Sequence, residues 1–205
     1  MKSLASTINP ELKKAVDGGT FVAIFEFKGV SNFASTPPFT LGGLTGSPSV
    51  AGGSSYLVDP VSYDSTCQNL NRFASSIVQG KLSGTATAIS VLPSIGLGTS
   101  TTGMGFPMNL QDVVVSATVT GSDGSMTNGV LSGIWTKEEV DSQIAQLEAE
   151  CAVTTTDICS YLGTAKAFLP MLFDLDLNKD GKKDASSVCM RFTTGPATIA
   201  GMETK

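Results

Sequence analysis

Histidine is absent from this chain of 205 residues. The chain therefore lacks the commonest general base, the usual partner of a nucleophilic serine or cysteine, and the commonest zinc ligand. It also contains no GxSxG, no phosphate-binding P-loop, no GxGxxG after a predicted strand and no HExxH. We therefore expect a protein that is not an enzyme.

Charged side chains are also scarce, at 15% of the residues against about 25% in typical soluble domains. The net charge is −5 and no basic cluster occurs, so we expect no nucleic-acid partner. No apolar run reaches the ~18 residues that a membrane helix needs, so no transmembrane segment is expected. Residues 1–7 hold no continuous apolar stretch, and an exported protein of this sequence is expected to have lost its signal peptide.

Glycine, serine and threonine take the place of the missing charges, a composition that suits short strands joined by turns. Apolar and polar residues alternate most clearly over 112–120, and the turn at 121–124 followed by 125–135 predicts a hairpin. The other predicted strands cover 20–28, 81–92 and 186–194, with 197–202 continuing an edge of the sheet.

Helical spacing of apolar residues alternates with these strands. Thr136 followed by Glu139 is a capping box and starts an amphipathic helix. The other predicted helices cover 7–18, 66–79 and 156–173. Residues 29–56 lack clear periodicity and predict irregular strands with a mobile loop over 42–55.

These elements predict one mainly β domain over residues 1–205. Strands come first, then a helical pair and then a last strand. That order favours an antiparallel β-sandwich with a helical hairpin, 136–173, inserted before the last strand.

The most chemically specific stretch is 174–184, where oxygen-bearing side chains recur at alternate positions. Counted from Asp176, their spacing matches positions 1, 3, 5, 6, 7 and 9 of an EF-hand calcium loop. Ca²⁺ takes about six to eight oxygen ligands, Gly181 permits the sharp turn, and Lys182 would contribute its backbone carbonyl. The predicted metal ligands are Asp174, Asp176, Asn178, Asp180, Lys182 and Asp184.

The loop departs from an EF-hand at its end. The bidentate glutamate of position 12 is replaced by Ser187, and the exit segment predicts a strand instead of a helix. These differences favour a structural ion over a regulatory one, with either Asp174 or Ser187 completing the shell. Mg²⁺ is the lesser candidate because it demands tighter octahedral geometry.

Four cysteines, Cys67, Cys151, Cys159 and Cys189, match two disulfides in an oxidising compartment, although four free buried thiols are the alternative. Cys151 and Cys159 flank the connection between two predicted helices, where a disulfide would close a short loop. Cys67 would then pair with Cys189. Four cysteines allow three connectivities, so both pairings are predictions.

The segment from Gly129 to Ile199, with its DxDxNxDGxxD loop running into ASSVCMRFTTGPATI, is similar to a family of secreted proteins or lipoproteins of myxobacteria-like bacteria. The loop itself resembles the calcium loops of dockerins, thrombospondin type 3 repeats and integrin-like surface repeats. The resemblance spans roughly residues 80–200, with weaker similarity at 21–29. It implies export, a lipid anchor upstream of Met1 and no particular activity. The chain differs from that family at Cys189 and Met190, where small residues are common.

Three functions remain open at this point. The leading expectation is a calcium-binding, non-enzymatic structural, adhesive or assembly protein outside the cell or on its surface, whose partners are its own copies or other surface proteins. A carbohydrate-binding module is the first alternative, although one tryptophan and three tyrosines offer few sugar platforms. A hydrolase using the carboxylates of Glu26 and Asp112 is the second.

Overall fold

A computed structural model describes residues 13–19, 22–50, 53–91, 108–153, 159, 162–163, 166–167 and 169–204, and β-strands make up most of them. The long helix, α1, is Lys137–Val153, and 3₁₀ turns lie at Pro60–Ser62 and Leu169–Leu172. The strands are β1 (Val22–Phe27), β2 (Thr36–Pro48), β3 (Ser55–Val58), β4 (Asn71–Val78), β5 (Lys81–Val91), β6 (Met108–Thr120), β7 (Ser125–Thr136), β8 (Ala185–Thr194) and β9 (Thr198–Met202).

All of these strands belong to one hydrogen-bonded sheet in the order β8-β7-β6-β5-β4-β2-β3-β9, and β1 also pairs with β2. Neighbouring strands run antiparallel except β3 and β9, which are parallel, so the sheet is mixed. The prediction of a mainly β fold is confirmed. The described strands form a single continuous sheet, and the predicted two-sheet sandwich is not confirmed.

The predicted hairpin of β6 and β7 lies at the centre of the core. Val113 and Val115 are fully buried while Val114, which points to the other side of the strand, is 43% exposed. This alternation is the two-residue period of a strand with one covered face. The turn between the strands contains Gly121 and Gly124, both with positive φ, a conformation that glycine adopts without steric cost.

The predicted helix over 66–79 is wrong, because residues 71–78 form β4. Phe73, Ser75 and Ile77 are buried at every second position, while Leu70, needed for a helical stripe, is half exposed. Gln79 and Gly80 both have positive φ, which is the geometry of a two-residue hairpin turn into β5. Helical and strand spacing coincide over such a short apolar run, and this turn decides between them.

The predicted mobile loop over 42–55 is wrong for its first half, since β2 continues to Pro48. Its glycines allow neighbouring groups to approach the backbone. A Cβ at Gly42 would lie 1.7 Å from the side-chain nitrogen of Asn69, and one at Gly46 would lie 2.1 Å from the carbonyl oxygen of Leu57. Glycines that permit close packing do not contribute to the alternation of apolar and polar residues, so the sequence pattern did not predict this strand.

Aromatic side chains connect the β1 and β8 ends of the antiparallel part of the sheet. The rings of Phe25 in β1 and Phe192 in β8 stack with their centroids 5.1 Å apart. Gly129 in β7 is the cross-strand partner of Phe192, and a Cβ there would lie only 2.4 Å from the ring. Phe192 therefore lies over a residue without a side chain, an arrangement that lets an aromatic ring cover exposed backbone.

The helix α1 begins as predicted, because the Thr136 hydroxyl accepts a hydrogen bond from the Glu139 amide at 3.3 Å. Val140 on its inner side is fully buried. Eight of the 18 residues of the second predicted helix, 156–173, and the first half of the helix 7–18 lie outside the described residues. In the part that is described, residues 13–17, 159, 162–163 and 166–167 are helical, and Leu169–Leu172 is a 3₁₀ turn containing Pro170. No helix in the described ranges is long and apolar enough to cross a membrane.

Candidate calcium loop

The predicted calcium loop lies between the 3₁₀ turn at Leu169–Leu172 and β8. Its two ends are joined by a pair of backbone hydrogen bonds: the Leu175 amide donates to the Ala185 carbonyl at 3.0 Å, and the Ala185 amide donates to the Leu175 carbonyl at 3.3 Å. The Asp184 carbonyl also accepts the Lys137 amide at 2.8 Å. The loop is thereby fixed to both the sheet and the first turn of α1.

Inside the loop, the predicted ligand side chains accept hydrogen bonds from the loop backbone. The two Asp176 carboxylate oxygens accept the amides of Asp180 and Gly181 at 3.2 and 2.9 Å. Asn178 Oδ1 also accepts the Asp180 amide, at 2.9 Å. Asp180 Oδ1 in turn accepts the Lys182 amide at 2.8 Å. These bonds, with the positive φ of Gly181, curl residues 176–182 into a compact turn.

The chemistry of these side chains suits a hard cation, but their arrangement is not that of a formed metal centre. Asp176, Asp180, Asp184, the Asn178 amide and a backbone carbonyl are oxygen donors of the kind Ca²⁺ prefers. Among the described residues, however, no group of three or more His, Cys, Asp and Glu side chains is placed to hold a metal ion.

Asp174, one of the predicted metal ligands, is bonded to Ser187 in this structure. Its Oδ1 accepts the Ser187 amide at 2.8 Å and its Oδ2 accepts the Ser187 hydroxyl at 2.5 Å. Burial raises the pKa of Asp174, but these two hydrogen bonds, together with the Asp174 amide and the nearby Lys183 charge, outweigh it and hold the pKa below its ordinary value. The two residues considered for completing the calcium shell are therefore bonded to each other, and Asp174 secures the start of β8.

Lysine side chains surround the loop. The Lys183 ammonium donates to the Asp174 carbonyl at 2.7 Å, and Lys179 and Lys182 are exposed to solvent. Their positive charges partly offset the aspartates of the loop.

The structure confirms one predicted disulfide and contradicts the other. Cys151 and Cys159 are bonded, with their Cα atoms 5.5 Å apart. Cys67 and Cys189 are both free and exposed. Cys67 lies in the turn before β4, whereas Cys189 lies in β8, and β5, β6 and β7 separate these strands in the sheet. Strands lie about 4.8 Å apart, so the two residues are far beyond the roughly 7 Å limit for Cα atoms of a disulfide.

The carboxylates of the hydrolase hypothesis lie in different surroundings. Glu26 accepts a hydrogen bond from the side-chain nitrogen of Asn69 at 2.8 Å and forms an ion pair with Lys28 at 3.4 Å. The buried Asn69 holds these two charges on the sheet and was missed in the sequence, where nothing distinguishes it from a turn asparagine. Asp112 is exposed, with positive φ, at an irregularity of β6.

The aromatic residues give little support to a sugar platform. Trp135 is 7% exposed and belongs to the core. Tyr56 and Tyr63 are partly buried against Ile24, Leu44 and Val58. Burial first, and the neighbouring Glu26 charge second, raise the pKa of the Tyr63 hydroxyl. A stacked sugar needs an exposed ring face, which these side chains do not present as a group.

Comparisons with protein-family models, curated proteins and solved structures give no match to this chain. The resemblance to secreted bacterial proteins therefore stays a prediction from the motif.

Proposed function

We propose that this protein is a non-enzymatic structural or assembly module, located outside the cell or on its surface, and that the loop 174–184 binds a stabilising Ca²⁺ ion. The observation that carries the proposal is the loop itself. Oxygen-bearing residues at alternate positions from Asp176 to Asp184 lie in a closed turn that is anchored to both β8 and α1. The proposed ligands are Asp176, Asn178, Asp180, the Lys182 carbonyl and Asp184.

Two carboxylates have capacity for an ion without losing the bonds that shape the loop. Asp180 uses one oxygen for the Lys182 amide, and Asp184 uses one for the Leu177 amide at 2.8 Å. Within the described residues, the second oxygen of each accepts no hydrogen bond. A bound cation would relieve the repulsion between these carboxylates and would tie the loop ends together, which stabilises the folded state.

Location outside the reducing cytosol is supported by the Cys151–Cys159 disulfide, since such bonds persist in oxidising compartments. Extracellular calcium, at about 10⁻⁴ to 10⁻³ M, is also enough to fill a site of modest affinity. The proposed role of the ion is to fix the junction between the helical segment and β8.

The test is thermal unfolding in EDTA and in about 1 mM CaCl₂. If the calcium concentration is ten times Kd, binding adds about 1.4 kcal/mol, which raises Tm by roughly 3–6 °C in a chain of this length. The Asp180→Asn variant should lose this shift. Asp123→Asn is the matched control, because Asp123 accepts an amide in a turn in the same way but lies far along the chain from the loop. Identical melting of the wild type in both solutions would overturn the proposal.

A further inference from the structure

Among the described residues, hydrogen-bond partners cover the outer edge of β8, the edge away from β7, only over its first half. Ala185 exchanges hydrogen bonds with Leu175 on this side, and the Ser187 amide donates to Asp174. In an antiparallel strand, residues whose backbone groups point to one neighbour alternate with residues that point to the other. The next outward-pointing residues are therefore Cys189, Arg191 and Thr193.

The backbone groups of these three residues have no hydrogen-bond partner among the described residues. Natural sheets usually protect such an edge with lysine, proline, a bulge or a covering segment. Residues 189–193 contain no lysine or proline, their one charged side chain is Arg191, and the register with β7 is regular as far as Phe192. The Phe25 ring of β1 stacks on Phe192, but β1 is not hydrogen-bonded to β8 in the sheet. The edge of β9 is a poorer template, because that strand has five residues and its pairing with β3 is irregular.

We propose that this open edge pairs antiparallel with the same edge of a second copy of the chain, with Cys189 opposite Arg191 of the second copy. The arrangement is symmetric, so Arg191 also faces Cys189 of the second copy, and four backbone hydrogen bonds form between the two pairs. Pairing cannot extend to Ser187, whose outward amide is already bonded to Asp174.

Charge favours this register over the alternative that places Arg191 opposite itself. Across a sheet, a long side chain also reaches the diagonal neighbours of its opposite residue, roughly 7–8 Å away. The diagonal neighbours of Arg191 are then Ser187 and Arg191 of the second copy, and the Asp174 carboxylate lies next to Ser187. Each arginine thus has an aspartate within reach, twice by symmetry, and the two arginines are diagonal to each other. The alternative register would place the two like charges directly opposite each other, where the separation is smallest.

This inference rests on the assembly part of the proposed function and does not require calcium. Sedimentation measurements in EDTA and in CaCl₂ therefore separate the two proposals. Dimers in both solutions, with a Tm that does not depend on calcium, would support the dimer interface and contradict the calcium site. The contact is small, so we expect a Kd between about 1 µM and 1 mM. Arg191→Glu should weaken self-association about tenfold or more, because the glutamate meets Asp174 of the second copy.

Arg72→Glu is the matched control, since Arg72 is an exposed strand arginine whose loss should leave self-association unchanged. Arg191→Cys in a Cys67→Ser background tests the register directly. Oxidation should yield disulfide-linked dimers through Cys189, and adding Cys189→Ser should abolish them. A monomer at about 1 mM, equal dimerisation of Arg191→Glu and wild type, or no cross-linking would each overturn the proposal.

Discussion

The carboxylate of Asp174 is bonded through both oxygens to Ser187, to its amide at 2.8 Å and to its hydroxyl at 2.5 Å. In sequence, Asp174 stands two residues before the calcium loop and Ser187 stands at the position of an EF-hand glutamate. Each looked like a substitute ligand. In the folded chain they form a clamp that holds the end of the helical segment against the beginning of β8.

We expect Asp174→Asn to leave calcium affinity within about threefold of the wild type, because both Asp174 oxygens are bonded to Ser187 and Asp174 is not among the proposed ligands. Asp180→Asn should lower the affinity about tenfold or more, since it removes a ligand charge while keeping the oxygen that accepts the Lys182 amide. Calorimetric titration with CaCl₂ measures both. An equal loss of calcium affinity in the two variants would show that Asp174 is a calcium ligand.

Asp64 offers a pH-dependent prediction away from the loop. The Thr66 hydroxyl donates to its carboxylate at 2.6 Å, and this bond, with the Gln68 and Thr66 amides, holds the pKa of Asp64 below its ordinary value. Since the folded pKa is lower than the unfolded value of about 3.9, this stability is present above that pH and is lost as pH falls through the folded pKa. Thr66→Val should raise the pKa of Asp64 in an NMR titration and reduce the acid dependence of Tm.

Thr85→Val is the control for this change, because Thr85 is an exposed threonine in β5. It should leave both the titration of Asp64 and the acid dependence of Tm unchanged. An unaltered Asp64 pKa in Thr66→Val would contradict the assigned role of the hydroxyl.

Gly129→Ala should destabilise the protein by about 1–3 kcal/mol, because the new methyl group would overlap the ring of Phe192. The ring must then move away from Phe25, which weakens the contact between β1 and β8. Urea unfolding measures the loss. Gly195→Ala is the control, since a Cβ at Gly195 meets no atom within 4 Å. Equal stability of the two variants would show that the ring adapts freely.

Gln143→Met should stabilise the protein by about 1–2 kcal/mol. Gln143 is 4% exposed, and neither atom of its side-chain amide has a hydrogen-bond partner in the part of the chain that the structure describes. A thioether of similar size removes this unsatisfied amide from the interior. The same change at Gln146, exposed on the same helix, should have little effect on urea unfolding. A destabilised Gln143→Met would indicate that the amide is satisfied in solution.

The sequence predicted the elements whose patterns are local. The alternating valines from Val113 to Val119 predicted β6, and the Gly121 and Gly124 turn predicted its hairpin with β7. Thr136 and Glu139 predicted the start of α1 by direct contact three residues apart. The disulfide between Cys151 and Cys159 was also predictable, because their separation of 8 residues allows the chain to bring them together.

The errors arose where spacing was ambiguous or where partners were distant. Phe73 and Ile77, four residues apart, match a helix as well as a strand, and the turn at Gln79 and Gly80 and the pairing of β4 with β2 and β5 decide for the strand. Cys67 and Cys189 were paired by elimination, which ignores the strands that separate them. Asn69 gave no signal, because its role depends on Glu26 in β1 and on Lys28 just after it, both distant in sequence.

By itself, the sequence determined the β-rich class, the position of the aspartate loop and the kinds of oxygen that it can offer a cation. These follow from composition and from spacing along the chain. Only the tertiary structure decided that Asp174 bonds to Ser187, that Phe192 lies over Gly129, and that half of the β8 edge has no backbone partner among the described residues. Each of these depends on which strands become neighbours, and that choice is made by the burial and backbone pairing of the whole sheet.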